Sequence, residues 1–270
     1  MRKLWIAVLA VAAVLAVASV AVAANVYTVH LGSTTVKGKG STVKPIPSGL
    51  KFGFKVEDSD PTLRGTVIEK YAIGVEGMVA NPKLFPKCQF TELDDQSGVP
   101  SKCDKALVGR GLVKNAAGSN TDRSLASSSP CNLALRLYND GDGMTLRVDS
   151  NGQPPPPSFE SNEIGCLLPI GTAINGKFVR KKILGRTGSE LVFTVPAELK
   201  HPGLPQIDNS IRRNDSNVFL KAKRVAGKRR GFYEKIGCKG TKRTVRAIFT
   251  TEATSSEPAR KFVATKQSRC

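Results

Sequence analysis

The sequence predicts an all-β protein, folded as an antiparallel β-sandwich or a partly open barrel and disulfide-stapled. Strand candidates with alternating apolar and polar residues recur about 10 to 20 residues apart, with Gly, Pro, Asn or Asp between them. No window of about a dozen residues has the apolar spacing of an amphipathic helix. The chain also contains six cysteines. Together these observations favour a sandwich or barrel and argue against coiled coils and βαβ units.

The first 23 residues have the features of an export signal peptide. Arg2 and Lys3 precede an apolar run over residues 4–20, and small residues at 21 and 23 predict cleavage before Ala24. The alternative is an uncleaved membrane anchor, because about 20 apolar residues suffice to span a bilayer. Cleavage leaves 39 basic and 22 acidic residues, a net charge of +17, on a secreted or envelope-associated protein without a transmembrane segment.

Export changes the meaning of the cysteines, because disulfides persist outside the cytosol. The entropy of loop closure favours disulfides between cysteines that are neighbours in sequence. The number of cysteines alone leaves the pairing open. The expected pairs are Cys88–Cys103, Cys131–Cys166 and Cys238–Cys270. No CxxC or CxxH spacing indicates a zinc site.

The mature chain divides into a short N-terminal part, residues 24–49, and one all-β domain, residues 50–270. The N-terminal part has a strand candidate at 26–31, followed by a flexible loop rich in Gly, Ser and Lys. Residues 50–56 alternate between apolar residues and Lys or Gly, which is typical of a half-buried strand. Residues 67–75 also have apolar residues at every second position. Further strand candidates lie at residues 178–183, 191–195, 218–225, 232–236 and 244–250.

Residues 132–150 form the clearest hairpin candidate. Alternating leucines precede an Asn-Asp-Gly-Asp-Gly turn at residues 139–143, and Met, Leu and Val alternate after it. The alternative for this turn is a calcium loop, which is disfavoured because the ligand spacing and final Glu of an EF-hand are missing. Four prolines at 154–157 indicate a stiff connection or, alternatively, a polyproline ligand. A subdivision near residues 151–158 is the alternative to a single domain.

The composition offers little for catalysis. The chain has two histidines and 6% aromatic residues, and it contains no GxSxG, HExxH, P-loop or GxGxxG motif. His201 lies in a turn-like Lys-His-Pro-Gly stretch, which indicates a solvated loop residue. The carboxylates considered for a glycosidase-type pair are typical of surface charge; they are Asp94, Asp95, Glu160 and Glu163. We therefore predict no catalytic residue, no cofactor and no metal site.

Basic residues concentrate in residues 221–246, which contain eleven Lys and Arg and a single acid, Glu234. The pattern predicts three short strands joined by turns at 226–227 and 239–240. Such a segment attracts polyanions, while the alternative is a charged surface that keeps a β-protein soluble. Sequence-specific nucleic-acid binding is not expected, because no helix-turn-helix or zinc finger is present. The predicted polyanion-binding residues are Lys221, Lys223, Arg224, Lys228, Arg229, Arg230, Lys239, Lys242 and Arg243.

Four stretches carry a family resemblance. They are residues 84–88 with Cys103 and 108–111, residues 130–133, residues 193–196 with 201–202, and residues 233–240. Together they resemble a group of exported, cysteine-containing, β-rich proteins of actinobacterial (high-GC Gram-positive) lineages. The resemblance covers most of the mature chain and implies an exported, disulfide-containing β-rich protein. It transfers no catalytic residue.

These observations predict an exported binding or structural module of the cell envelope that associates electrostatically with an anionic cell-wall or surface polymer. The alternative from a different class is an envelope hydrolase or transferase with a carboxylate-based site. A third interpretation is an exported scaffold or adhesin domain, which predicts a broad exposed apolar patch.

Overall fold

The computed structural model describes residues 25–32, 38–94, 98–150, 165–166, 168–238, 240–254 and 258–270. For residues 25–32 and Ser268 it describes the backbone alone. The signal peptide predicted at residues 1–23, the prolines at 154–157 and the subdivision near 151–158 lie outside this part of the chain. The all-β prediction is confirmed, since strands dominate and the described helices have at most six residues.

The strands are numbered in chain order. They are β1 (Asn25–Gly32), β2 (Ile46–Ser48), β3 (Leu50–Asp58), β4 (Ile68–Val75), β5 (Met78–Ala80), β6 (Leu107–Ser119), β7 (Ser129–Pro130), β8 (Leu133–Asn139), β9 (Gly143–Asp149), β10 (Gly171–Ile183), β11 (Arg186–Thr194), β12 (Ile207–Val218), β13 (Ala222–Val225), β14 (Lys228–Gly231), β15 (Tyr233–Lys235), β16 (Lys242–Thr251) and β17 (Lys261–Arg269). The short helices are η1 (Pro82–Leu84), α1 (Phe90–Leu93), η2 (Ser101–Ala106) and α2 (Ala197–Lys200).

Twelve strands form one antiparallel sheet that curves into a partly open barrel. Its order is β1-β3-β12-β6-β8-β9-β10-β11-β4-β16-β17, and β7 pairs with β6. The first and last strands, β1 and β17, also approach each other, so the sheet curls back on itself without a closing ladder. Strands β9 and β10 pair directly, which means that one sheet contains the chain on both sides of residues 151–164.

Two small sheets lie outside this barrel. Strands β2, β15 and β5 form the first, and the hairpin β13–β14 forms the second. The strand predicted at 218–225 is confirmed only for residues 222–225, because β12 ends at Val218 and β13 begins at Ala222. The residues between the two strands, 219–221, form other hydrogen bonds, including one from the Phe219 N–H to the Val108 carbonyl at 2.8 Å.

Alternating side chains of the predicted strands build the core. Phe54 of β3 and Phe249 of β16 pack edge to face at 5.1 Å between ring centroids, and Tyr71 of β4 stacks on Phe193 of β11 at 4.8 Å. Burial of one such side chain is worth about 1.5–3 kcal/mol. The inward rings therefore join strands that lie far apart in sequence into a single core.

The six cysteines form the three expected neighbour pairs, Cys88–Cys103, Cys131–Cys166 and Cys238–Cys270. The acidic 139–143 segment forms a turn, in which the Asp140 carboxylate accepts the backbone N–H groups of Asp142 and Gly143 at 3.0 and 2.5 Å.

Candidate functional site: a basic hairpin and the groove beside it

The β13–β14 hairpin presents most of the predicted polyanion-binding cations. Its turn residues Ala226 and Gly227 both have positive φ, 47° and 75°, as a tight two-residue hairpin requires. The cations exposed on this hairpin are Lys223, Arg224, Lys228 and Arg229.

Two successive rungs of this hairpin place a cation directly opposite a cation. Lys223 pairs in register with Arg230, and Arg224 pairs with Arg229. Like charges opposite each other destabilise a sheet, and an isolated two-stranded hairpin is only marginally stable. Folding of the hairpin therefore gains nothing from the Arg224–Arg229 rung, in which neither charge has an acidic partner among the described residues.

Arg230 is the hairpin cation with an acidic partner. Its guanidinium donates two hydrogen bonds to the Glu234 carboxylate, at 2.8 and 3.1 Å. Although burial favours the neutral acid, the bonds from Arg230 and from the Gly231 N–H hold the pKa of Glu234 below its ordinary value. The carboxylate is thus ionised at neutral pH and neutralises Arg230.

A groove of about 690 Å³ lies beside the hairpin. Its wall includes Arg230 of β14, Lys83 of η1, and Lys177 and Arg180 of β10. Asp142 is the one acid in the lining, and its carboxylate lies 3.6 Å from Lys83 Nζ. We call this surface, together with the four exposed hairpin cations, the basic groove.

Close contacts join the hairpin to the groove wall. Lys223 Nζ lies 5.7 Å from the centroid of the Phe85 ring, and Phe85 directly follows η1. In the described part of the chain, five exposed cations of the basic groove form no ion pair or side-chain hydrogen bond; they are Lys177, Arg180, Arg224, Lys228 and Arg229. The basic groove therefore offers positive charge that none of the described carboxylates neutralises.

The structure does not bring all nine predicted cations together. Arg243 is only 1% exposed and donates to the Glu76 and Gly237 carbonyls, so its assignment to a polyanion site was wrong. Lys221 donates to the Lys105 carbonyl at 3.1 Å, and burial lowers its pKa. Lys242 is exposed at the start of β16, and Lys239 lies outside the described residues.

Sequence reasoning missed the cations of the groove wall. Lys177 and Arg180 belong to a run of four cations between residues 177 and 182. This run could have indicated a basic surface, but the sequence analysis used it only to place a strand at 178–183. Lys83 is isolated in sequence, and only the position of η1 beside β10 brings it to the groove.

No family model, curated protein or solved structure matches this chain. The resemblance to actinobacterial exported proteins therefore stays a prediction. Within the ranges that the structure describes, none of the helices is both long and apolar enough to cross a bilayer.

His201 is not the solvated loop residue that its Lys-His-Pro-Gly context indicated. It caps the C-terminus of α2, and its Nε2 lies 2.8 Å from Glu252 Oε2 while its Nδ1 lies 3.3 Å from Asp208 Oδ1. Lys200 Nζ donates to the other oxygen of Glu252. These four side chains form a charged cluster at the α2 end of the barrel, away from the residues that line the basic groove.

The two carboxylates of this cluster have opposite pKa shifts. Burial raises the pKa of Asp208. Burial acts in the same direction on Glu252, but the bonds from Lys200 and His201 outweigh it and lower the pKa of that carboxyl.

We expect the cluster to lose stabilisation in acid through Glu252. A carboxyl whose folded-state pKa is lowered stabilises the fold above its ordinary pKa and loses that contribution as the pH falls through the lowered value. Glu252→Gln should therefore reduce the free energy of unfolding by about 2 kcal/mol at pH 7. The difference in free energy of unfolding between wild type and variant, measured with a denaturant, should vanish as the pH falls below the ordinary pKa of a glutamate side chain. A gap that stays constant with pH would contradict this assignment.

Of the four carboxylates considered for catalysis, the structure describes only Asp94. Asp94 accepts a hydrogen bond from the Ala173 N–H at 2.9 Å, and Asp95, Glu160 and Glu163 lie outside the described residues. The basic groove has one carboxylate, Asp142, in its lining, and a second groove beside β3 has one, Glu57. Among the described residues, neither lining has the two facing carboxylates that glycoside hydrolysis requires.

Proposed function

We propose that this protein is an exported β-rich module of the cell envelope that binds an anionic surface polymer along the basic groove. The observation that carries the proposal is a set of five exposed cations without an acidic partner among the described residues, two of them in the groove wall and three on the adjoining hairpin. Phosphate or carboxylate groups of a polymer would displace the counterions of these side chains, which gives affinity without sequence or sugar specificity.

The cation-opposite-cation rungs of the hairpin supply a further reason. An anionic group placed between Arg224 and Arg229 would accept hydrogen bonds from both guanidinium groups and relieve their repulsion. The hairpin is then more stable with its ligand than without it. Binding energy of this kind comes from removing an unfavourable contact in the free protein as well as from forming a new one.

Two observations support a location outside the cytosol. Three disulfides are typical of proteins that fold in an oxidising compartment. The first 23 residues also have the pattern of an export signal, although they lie outside the described part of the chain. Anionic envelope polymers are available in that location, which makes them the expected ligand class.

Retention on isolated actinobacterial cell walls tests the proposal. The purified protein should bind at about 50 mM NaCl and be released by about 500 mM, because salt screens exposed charges. Lys228→Gln with Arg229→Gln should reduce retention at low salt by about tenfold and lower the salt slope by up to about 2. Arg230 is left unchanged, since it already pairs with Glu234.

The matched control removes the same number of positive charges from a different surface. Lys261 and Lys266 are exposed on β17, which contributes no residue to the groove lining, and their double change to Gln also removes two charges. This control should retain wild-type binding. Salt-independent retention, or equal losses in the two double variants, would rule out the groove as the binding surface.

A further inference from the structure

The barrel encloses a cavity that is separate from the basic groove. It has a volume of about 110 Å³ and is lined mostly by apolar side chains from the inner faces of β3, β4, β6 and β8–β12. Its apolar wall includes Phe54, Tyr71, Leu135 and Phe193. A cavity with only such residues would be dry and chemically featureless.

One part of the wall is polar, where β6 and β12 run side by side. Asn115 of β6 lies directly opposite Ile211 of β12, and both line the cavity. Asn209 is two residues before Ile211 and points to the same side of the sheet. Asn214 and Ser216 of β12 are also part of the lining.

Two amide oxygens in this region have no hydrogen-bond donor among the described residues. They are Oδ1 of Asn115 and Oδ1 of Asn209, and each residue is only 7% exposed. By contrast, Asn214 Oδ1 accepts a bond from Ser216 Oγ at 2.9 Å. Buried acceptors without a donor are rare in proteins and costly, so their position beside a cavity points to a ligand.

Hydrogen bonds fix the side-chain amide of Asn209 but not that of Asn115. Asn209 Nδ2 donates to the Leu199 carbonyl at 2.9 Å, which fixes its Oδ1 on the other side. The Asn115 side chain makes no hydrogen bond within the described chain, so it is free to align with an incoming donor. Asn115 is therefore the better candidate for direct contact.

We infer that this cavity binds a small neutral molecule with an apolar chain and one hydroxyl group, which donates its hydrogen bond to Asn115. A carboxylate would bring a charge into a mostly apolar cavity that offers no free cation to compensate it, and it would leave the Asn115 oxygen without a donor. Lys200 also lines the cavity, but its Nζ donates to Glu252, which compensates its charge. The cavity is smaller than the roughly 150 Å³ that admits benzene, so the buried part of the ligand has about four to six non-hydrogen atoms.

Three probes of the same size separate this proposal from non-specific binding. They are 1-pentanol, its isomer butyl methyl ether, which lacks the donor, and butanoate at pH 7.5. Titrations followed in methyl NMR spectra should shift Ile73, Leu135 and Ile174 with the alcohol. We expect the ether and the carboxylate to bind at least about tenfold more weakly, because each leaves the amide oxygen unpaired.

Asn115→Leu tests the role of the amide. The variant should bind the alcohol no better than the ether, while its unfolding midpoint should not fall, since the change removes an unpaired buried acceptor. Absence of shifts with all three probes would mean that the cavity holds water only and would overturn the proposal. Equal binding of alcohol and ether by wild type, or an alcohol preference that survives in Asn115→Leu, would also overturn it.

Discussion

Replacement of Arg243 by Met is expected to lower the free energy of unfolding by about 3–5 kcal/mol without weakening polymer binding. Arg243 donates from Nε to the Glu76 carbonyl at 3.0 Å and from a terminal nitrogen to the Gly237 carbonyl at 3.1 Å. A Met side chain fills similar space but leaves both carbonyls without their donor. Each unsatisfied buried acceptor costs about 1–3 kcal/mol.

The charge of Arg243 also matters to its surroundings. Glu76 is buried, and its carboxylate accepts the Thr244 N–H at 3.2 Å. Burial lowers the pKa of Arg243, and the attraction of Glu76 opposes that shift. Removal of the guanidinium leaves the Glu76 carboxylate with less compensation, which adds to the cost of the lost hydrogen bonds.

Denaturant unfolding of Arg243→Met beside Arg224→Met provides the comparison. Arg224 is exposed on the hairpin, and its change should alter stability by no more than about 0.5 kcal/mol while weakening retention on cell walls. The two arginines are thus expected to show opposite phenotypes. Equal stability of the two variants would show that the Arg243 hydrogen bonds do not support the fold.

The sequence did not show that Arg224 is exposed and Arg243 is buried, because a count of charges carries no information about burial. Arg243 lies one residue after the exposed Lys242 and just before the strand predicted at 244–250. Only the start of β16 at Lys242 places Arg243 on the same inner face as Val245. Arg64 and Arg147 are buried in the same way, and both donate to backbone carbonyls. Part of the large positive charge therefore supports the fold, which leaves fewer cations for binding than composition suggests.

The strands that sequence predicted well are those with a purely apolar inner face. Strand β3 follows its predicted alternation, and β8 and β9 form the predicted hairpin, although both of its strands are buried on the two faces. Strand β12 was missed because its inner face carries Asn209, Asn214 and Ser216, so no apolar alternation marks it. The residues that concealed this strand are the same ones that give the interior cavity its polar wall.

The basic groove shows a different limit of sequence reasoning. Its hairpin came from one dense run of cations and was predictable in outline, including the turn at Ala226 and Gly227. Its other wall joins η1 and β10, which are almost 100 residues apart, and depends on the sheet order. A local pattern cannot predict such a surface, because the contacts that form it are not local.

Loss of the Cys131–Cys166 disulfide is expected to lower the free energy of unfolding by about 4 kcal/mol. The bond joins residues 35 apart in sequence and encloses β8 and β9, and the chain-entropy model gives this magnitude for a loop of that length. Cys131 is fully buried in the core, so the bond also ties the segment after residue 164 to the barrel.

Chemical denaturation of Cys131→Ala with Cys166→Ala measures this contribution. The matched control is Cys88→Ala with Cys103→Ala, which opens a loop of only 15 residues and should cost about 3 kcal/mol. The model thus predicts a larger loss for the longer loop. A reversed order would mean that local packing around Cys88, and not loop closure, determines the stabilisation.

The three loops together account for about 10 kcal/mol in the same chain-entropy model, which is comparable to the whole stability of an ordinary domain. Full reduction should therefore leave the barrel close to its unfolding threshold at about 25 °C. A reducing cytosol would keep the chain in that condition, whereas an oxidising compartment would trap the folded state. Unfolding measured with and without a thiol reductant tests this dependence, and an unchanged midpoint would remove the energetic reason for placing the protein outside the cytosol.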